Sequence, residues 1–259
     1  EEWQADRRCL ELLHRVRRQW SPEASIGDTL ASDRAAAVTP TDCPQTTLGR
    51  FCLLRELGSG GLGVVYLAYD PKLHRQVALK VPRPESLLSA ALRRRFLREA
   101  EAAARLNHPH LVAVYDSGED GGVCYIASEF CPGPTLAQWL AQRGEPAPVR
   151  SAARLVKQLA EAVGHAHGRG VLHRDIKPSN VLLARREQST QQGTNSSTHP
   201  LDFSDQPLAQ GQAEALWPKL TDFGMAKLLE REGDQTRSGV LVGTPAYMAP
   251  EQARGNVRD

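Results

Sequence analysis

With 259 residues, the chain is long enough for one large domain or two small ones, and either arrangement buries a substantial core. Hydrophobic residues make up 41% and charged residues 24%, and the formal net charge is only +2, a balance that does not mark a nucleic-acid or membrane-surface binder. Basic clusters exist (Arg7, Arg8, Arg15, Arg17, Arg18, and later Arg93, Arg94, Arg95), but acids or leucines interleave them, and they read as solvated helix faces.

The five cysteines, at 9, 43, 52, 124 and 131, are odd in number and show no metal-ligand or CxxC spacing. Reduced thiols in a cytoplasmic compartment are the expectation, not a disulfide framework. No apolar run approaches the ~20 residues that cross a bilayer, so no membrane segment is expected within the chain. The first residue is Glu1, which is not a natural start, and an anchor in sequence outside the chain stays open.

Residues 1–20 carry Trp3, Leu10, Leu13, Val16 and Trp20 at helical spacing, and 21–47 have the composition of a flexible linker. From Leu48 the texture changes to short apolar or β-branched runs at 51–57, 64–68 and 76–81, which predict a strand meander. A helix is predicted over 87–106. Leu88, Leu92, Phe96, Ala100, Ala103 and Ala104 line one face, with Arg93, Arg94, Arg98 and Glu101 on the other. Asn107-His108-Pro109 ends it, because the residue before proline leaves the α region. Strands follow around 111–115 and 123–127. After Cys131-Pro132-Gly133-Pro134, amphipathic helices are predicted at 135–143 and 149–168. The second presents Ala153, Val156, Leu159, Ala160, Val163 and Ala166 on its apolar face. Strands first and helices second imply an α+β chain with two lobes of different class. Residues 185–217 break the pattern: 188–199 are almost wholly Gln, Ser, Thr, Gly and Asn, and a disordered insertion is expected there.

The first chemical signal is Leu57-Gly58-Ser59-Gly60-Gly61-Leu62-Gly63-Val64-Val65. Glycines at this spacing let backbone N–H groups approach phosphates without Cβ interference. Alone it is weak, since three such glycines arise by accident in roughly one comparable sequence in seven. The β-type runs on both sides argue against a dinucleotide-binding fold, where a helix follows directly. The second signal is Val77-Ala78-Leu79-Lys80. A lysine ending an apolar strand either snorkels harmlessly or points toward phosphate, and then needs a carboxylate. Glu99 on the following helix leans toward the packed face, whereas Glu101 lies on the polar side. The third signal is decisive. His173-Arg174-Asp175-Ile176-Lys177-Pro178-Ser179-Asn180 gathers an acid, two cations and an amide within eight residues. Such a pattern arises by chance about once in 10⁵ chains of this composition. Phosphoryl transfer needs this set: a carboxylate to orient a hydroxyl, a cation for phosphate charge and an amide oxygen for a metal.

With Asp222-Phe223-Gly224 and Gly243-Thr244-Pro245-Ala246-Tyr247-Met248-Ala249-Pro250-Glu251 following in order, the chain resembles the eukaryotic-type (Hanks-type) serine/threonine protein kinases. The phrases Arg98-Glu99-Ala100, Leu106-Asn107-His108-Pro109 and Pro250-Glu251-Gln252-Ala253 look most like the bacterial members. The resemblance implies a bilobal kinase domain over 48–259, with an N-lobe to about 130 and a partial C-lobe from 131. It implies ATP and Mg2+ as cofactors and protein Ser/Thr hydroxyls as substrates, and it allows a kinase–kinase dimer for trans-autophosphorylation. By resemblance, Gly58, Ser59, Gly60, Gly61, Leu62 and Gly63 cover the phosphates, flanked by Leu57 and Val64. Lys80 contacts phosphate and pairs with Glu99. Asp175 is the catalytic carboxylate and Lys177 steadies the γ-phosphate. Asn180 and Asp222 hold magnesium. Glu129 and Cys131 present backbone groups to adenine, while Val65, Ala78 and Leu182 sandwich it. Ser128, small for the position that gates the space behind adenine, leaves room for bulky-tailed ATP analogues. Thr236 and Ser238 are the candidate activation-loop acceptors, with Arg174 as the cation to receive their phosphate.

Two departures from the family pattern stand out. Asn180 and Asp222 are 42 positions apart, where the family needs roughly a dozen. The chain also ends at Asp259, where the resemblance implies further large-lobe helices and an arginine partner for Glu251. On that expectation the parent protein is active and this segment does not fold stably by itself. Three rivals remain: a pseudokinase, a truncated interaction module and a dinucleotide-binding reductase. Retention of Lys80, Asp175 and Asp222 argues against the first, and the strand after the glycine segment argues against the last.

Overall fold

The computed structural model describes residues 46–60, 63–83, 90–185, 216–223 and 245–250. The expected helix at 1–20 lies outside them, as do nearly all of the 21–47 linker, Gly61, Leu62, Leu88, Gly224, Thr236, Ser238, Gly243, Thr244 and Glu251. The chain divides into two compact units, one running up to Leu97 and including Val114–Phe130, the other combining Arg98–Ala113 with Cys131 onward.

The first unit holds six antiparallel strands: β1 (Thr47–Leu48), β2 (Phe51–Gly60), β3 (Gly63–Asp70), β4 (Arg75–Pro82), β5 (Val114–Asp120) and β6 (Val123–Glu129). They lie in the order β1-β2-β3-β4-β6-β5. In β4 the pleat sends Val77, Leu79 and Val81 into the core at 0% exposure, while Gln76, Ala78 and Lys80 stand on the opposite face and stay partly exposed. Leu48, Phe51, Leu53, Tyr66, Ala68, Val123 and Ala127 complete that core. A slip of one residue in β4 would bury Lys80 and expose three aliphatic side chains, so the register is fixed by burial. It runs unbroken against β3 from Gly63↔Pro82 to Asp70↔Arg75. Asp70, wholly buried, closes the β3–β4 turn by accepting the N–H groups of Lys72 and Leu73 and the Arg50 guanidinium.

Helix α1 (Ala90–Ala104) buries Phe96, Ala100 and Ala103 and exposes Arg94, Arg98 and Glu101, as its period predicts. Ala104, expected on the packed face, is exposed. In the second unit, helix α2 (Leu136–Gln142) starts on a capping box in which Thr135 and Gln138 satisfy each other's backbone N–H. Helix α3 (Val149–His167) is followed by the catalytic-loop region and an antiparallel pair, β7 (Val181–Arg185) with β8 (Leu216–Leu220).

Four expectations need correction. The strand placed at 111–115 instead runs from Val114 to Asp120. Leu111 and Val112 are drawn off to Leu220, through a parallel bridge and a 3.0 Å bond from Val112 N–H to Leu220 O. Helix α3 turns inward a face that only partly matches the one expected. Ala166 is buried as expected, but Ser151, Leu155, Gln158 and Ala162 are buried with it, whereas Ala153, Val156 and Ala160 are exposed. Alanines surround this helix, so apolar spacing alone does not single out one stripe. Arg185, Leu216 and Trp217, assigned to the insertion, belong to paired strands. Cys52 is disulfide-bonded, while Cys124 and Cys131 are free, so the thiols are not all reduced.

Candidate functional site

In the first unit, the sheet face opposite the core gathers the residues assigned to nucleotide binding. Val65, Lys80 and Ile126 are register partners across three strands, and Ala78 pairs with Ser128 beside them. The Ser128 hydroxyl donates to Ala78 O at 3.2 Å. Glu129 is the last residue of β6, opposite Val77. The glycine segment turns from β2 into β3, and β2 shifts register twice on the way, between Leu53 and Arg55 and between Glu56 and Gly58. Its glycines differ in kind. Gly63 has φ +144°, and a Cβ there would collide with Val81 O, so the sheet itself requires glycine. Gly58 and Gly60 are exposed and have nothing among the described residues within 4 Å of an added Cβ. None of the described contacts demands glycine there, and the open space is what an approaching phosphate needs.

In the second unit, the segment from His173 to Asn180 is a closed hydrogen-bonded loop. The Asp175 carboxylate receives Lys177 Nζ at 2.7 Å and Asn180 Nδ2 at 3.1 Å, and Asn180 Nδ2 also donates to Asp175 O at 2.7 Å. Pro178–Asn180 forms a 3₁₀ turn, closed by Asn180 N–H to Lys177 O at 2.9 Å. Asn180 O accepts Thr221 N–H at 2.9 Å, which ties the loop to the segment that carries Asp222. His173 makes a second tie. Its Nε2 donates to Thr221 O at 2.7 Å, its Nδ1 accepts Asp175 N–H at 3.2 Å, and its ring meets Phe223 edge-on at 4.6 Å. These bonds use the neutral imidazole, and burial pushes His173 below its ordinary range. Arg174 and Asp222 both sit at φ 66°, a left-handed backbone that costs non-glycine residues about 1–3 kcal/mol and persists where surrounding bonds enforce it.

Leu182 lies on β7, opposite Lys219 and bridged to Thr135. Cys131 is buried, and Glu99 is partly buried on α1, whereas Glu101 is exposed. Sequence reasoning gave no role to two residues that matter here, one beside β7 and one in the loop. Gly133, at φ +142°, has no room for a Cβ against Leu183 O, and Leu183 N–H donates to Pro134 O at 2.9 Å. Its Pro-Gly-Pro context was the available signal. His173 was legible only as the first letter of its motif. Among the described residues, no cluster of three or more His, Cys, Asp or Glu is arranged to hold a metal ion. The loop instead offers one amide oxygen and, beyond Thr221, one carboxylate. Such a sparse all-oxygen set suits magnesium held together with substrate phosphates.

The protein kinase domain family matches residues 51–258. The chain belongs to that family. It is 39% identical over 217 residues to the serine/threonine-protein kinase PknF of Mycobacterium tuberculosis, covering 83% of this chain and 40% of PknF. Against the serine/threonine-protein kinase PrkC of Bacillus subtilis it is 34% identical over 209 residues, covering 81% of the chain and 28% of PrkC. Among solved structures it resembles a double-mutant kinase domain of Mycobacterium tuberculosis PknI at TM-score 0.53 and 32% identity, covering 68% and 61% of the two chains. This kinase chain thus spans less than half the length of the curated relatives it matches, and its fold is the protein-kinase fold with a β-rich first lobe. None of the helices in the described residues is long and apolar enough to cross a membrane.

Proposed function

We propose that this chain is the catalytic domain, over 48–259, of a bacterial serine/threonine protein kinase that transfers the γ-phosphate of ATP to protein hydroxyls. The observation that supports this reading most directly is the Asp175 carboxylate, held at once by Lys177 and Asn180 in a loop bonded to Thr221. An acceptor Ser or Thr hydroxyl oriented by Asp175 forms the new O–P bond as the bond to the ADP oxygen breaks, and its proton passes to Asp175. Lys177, already paired with Asp175, is the cation nearest that carboxylate and suits the charge on the transferring group. Gly58, Gly60 and Gly63 present backbone N–H groups to phosphate, with Lys80 on the same sheet as a further cation. Val65, Ala78 and Leu182 take the faces of adenine, and backbone groups of Glu129 and Cys131 its edge. Asn180 and Asp222 would hold magnesium, which neutralises the triphosphate charge when bound. Glu99 is the partner assigned to Lys80. Autophosphorylation at Thr236 and Ser238, paired by Arg174, and a cytoplasmic placement of the domain belong to the same proposal.

The test is transfer of radiolabelled phosphate from ATP with magnesium by the intact parent protein and by its Asp175→Asn variant. Label on Ser or Thr that disappears in the variant supports the enzyme and its carboxylate together. A folded, ATP-binding parent that labels nothing across varied protein substrates makes the chain a pseudokinase.

A further inference from the structure

Three imidazoles outside the catalytic loop converge in the second unit. His108 and His110 lie in the segment after α1, and His165 lies in the last turn of α3. The His108 ring centroid is 5.7 Å from that of His110 and 5.2 Å from that of His165, while His110 stacks on Trp217 of β8 at 6.1 Å and 18°. His110 is 0% exposed.

Hydrogen bonding dictates the protonation of each ring, because a carbonyl only accepts while an amide N–H and a guanidinium only donate. His110 Nδ1 faces Pro218 O at 2.9 Å and therefore carries its hydrogen, leaving Nε2 bare and buried with no partner among the described residues. His108 Nδ1 takes the N–H of His110 at 3.2 Å and must be unprotonated. His165 Nδ1 takes Arg169 Nη1 at 3.2 Å and must be unprotonated too. A second proton on His108 takes away the acceptor of the N–H of buried His110, and one on His165 takes away one of the two acceptors of Arg169 Nη1. On His110 it places an unpaired charge in the core. Repulsion from His110 and His165 opposes protonation of His108 as well. From α3, Glu161 favours it at His108, although that carboxylate also lies 3.7 Å from Lys157. Strand β8 faces the cluster with the Trp217 ring and the Pro218 carbonyl, neither of which titrates.

The backbone of the segment that carries His108 and His110 is bonded to β8, the strand that leads into the site, while the His110 ring reaches that strand at Pro218 O. His110 O accepts Leu220 N–H at 2.9 Å, and Leu220 O accepts Val112 N–H at 3.0 Å. Thr221, Asp222 and Phe223 follow directly. We propose that His108, His110 and His165 form a proton-sensitive latch, holding β8 and the residues 221–223 behind it only while all three rings are neutral. Burial, with the neighbouring imidazoles, lowers His108 below its ordinary value. The unfolded or released segment therefore binds protons more readily than the latched one, and the latch loosens as pH falls below about 6.5. Acidification would then slow phosphate transfer by releasing Asp222. That consequence rests on the kinase reading above, but the latch itself does not.

The test is amide hydrogen exchange on the full chain between about pH 7 and pH 5.5, corrected for intrinsic rates. Val112 and Leu220 are expected to lose at least about tenfold in protection while the β4 amides keep theirs. Imidazole proton resonances should show His108 titrating below the ordinary 6.5. A His110→Asn/His165→Phe variant, which keeps a donor to Pro218 O and an aromatic ring, should flatten the exchange response. His167→Gln, at an exposed position, should not. His173 also has a lowered affinity for protons, so a residual acid response in the double variant is expected. If Val112 and Leu220 hold their protection, or lose it only together with β4, or if His108 titrates at its ordinary value or above, the latch is wrong. Either failure, read on the unaltered chain, overturns the latch even if the double variant does not fold.

Discussion

The β4 strand and the 173–180 loop are stabilised by opposite means. In β4, three aliphatic side chains at 0% exposure face the core and alternate with Gln76, Ala78 and Lys80. In the loop the buried groups are polar: His173 at 1% and Asn180 at 7% exposure, satisfied by Asp175 and by Thr221. Apolar burial is non-directional and tolerates small shifts, whereas a hydrogen-bonded loop fails once a partner moves. The first kind of region suits a platform, and the second suits groups that must be held at fixed distances while charge moves.

The comparison predicts where each region breaks. The largest effect falls on the loop's chemistry. Asp175→Asn keeps the shape and most of the hydrogen bonds, so phosphate transfer should drop about 10³-fold or more with little change in melting temperature. Loss of both together would mean that Asp175 is chiefly structural. Next is Leu79→Ala, which should destabilise the protein by about 3 kcal/mol in denaturant titration by leaving a cavity under the sheet. Activity per folded molecule should be kept. Gly133→Ala should follow at about 2 kcal/mol, because the added Cβ and the φ of +142° both force the backbone near Leu183 to move. An unchanged stability there would show the contact between Gly133 and β7 to be softer than its geometry suggests. The smallest effect belongs to Asp70→Asn, at about 1 kcal/mol at neutral pH. Burial alone would raise the Asp70 carboxyl, but Arg50 and the N–H groups of Leu73 and Lys72 outweigh it and hold it below its ordinary value. Its contribution is therefore present above about pH 4 and lost as pH falls further, and the two proteins should converge in acid.

How far the sequence foretold these regions follows from the same difference. The short apolar run at 76–81 announced β4 as a strand, while which of its faces is buried shows only in the structure. The 173–180 loop was legible as a set of residue types, but its internal bonds were not. Nothing in the order of letters says that Asn180 donates to Asp175 or that His173 bonds Thr221, which lies 48 positions away. The α3 face was misread because Ser151 and Gln158 are buried while Val156 is left out, a choice made by tertiary packing. The β5 strand was misplaced because Asp116-Ser117-Gly118-Glu119-Asp120 has the composition of a turn yet pairs with β6 through to Asp120↔Val123. The disulfide at Cys52 had no spacing signal at all.

The ladder between β7 and β8 ends on the facing pair Arg185↔Leu216, so the polypeptide departs and returns at neighbouring points. Closing a loop between fixed neighbours grows only logarithmically more costly with its length. This junction therefore acts as a splice point, where the family fold accepts foreign sequence of almost any size at little thermodynamic penalty. A reporter domain grafted there, or a tight turn substituted for residues 186–215, would leave the β7–β8 ladder intact.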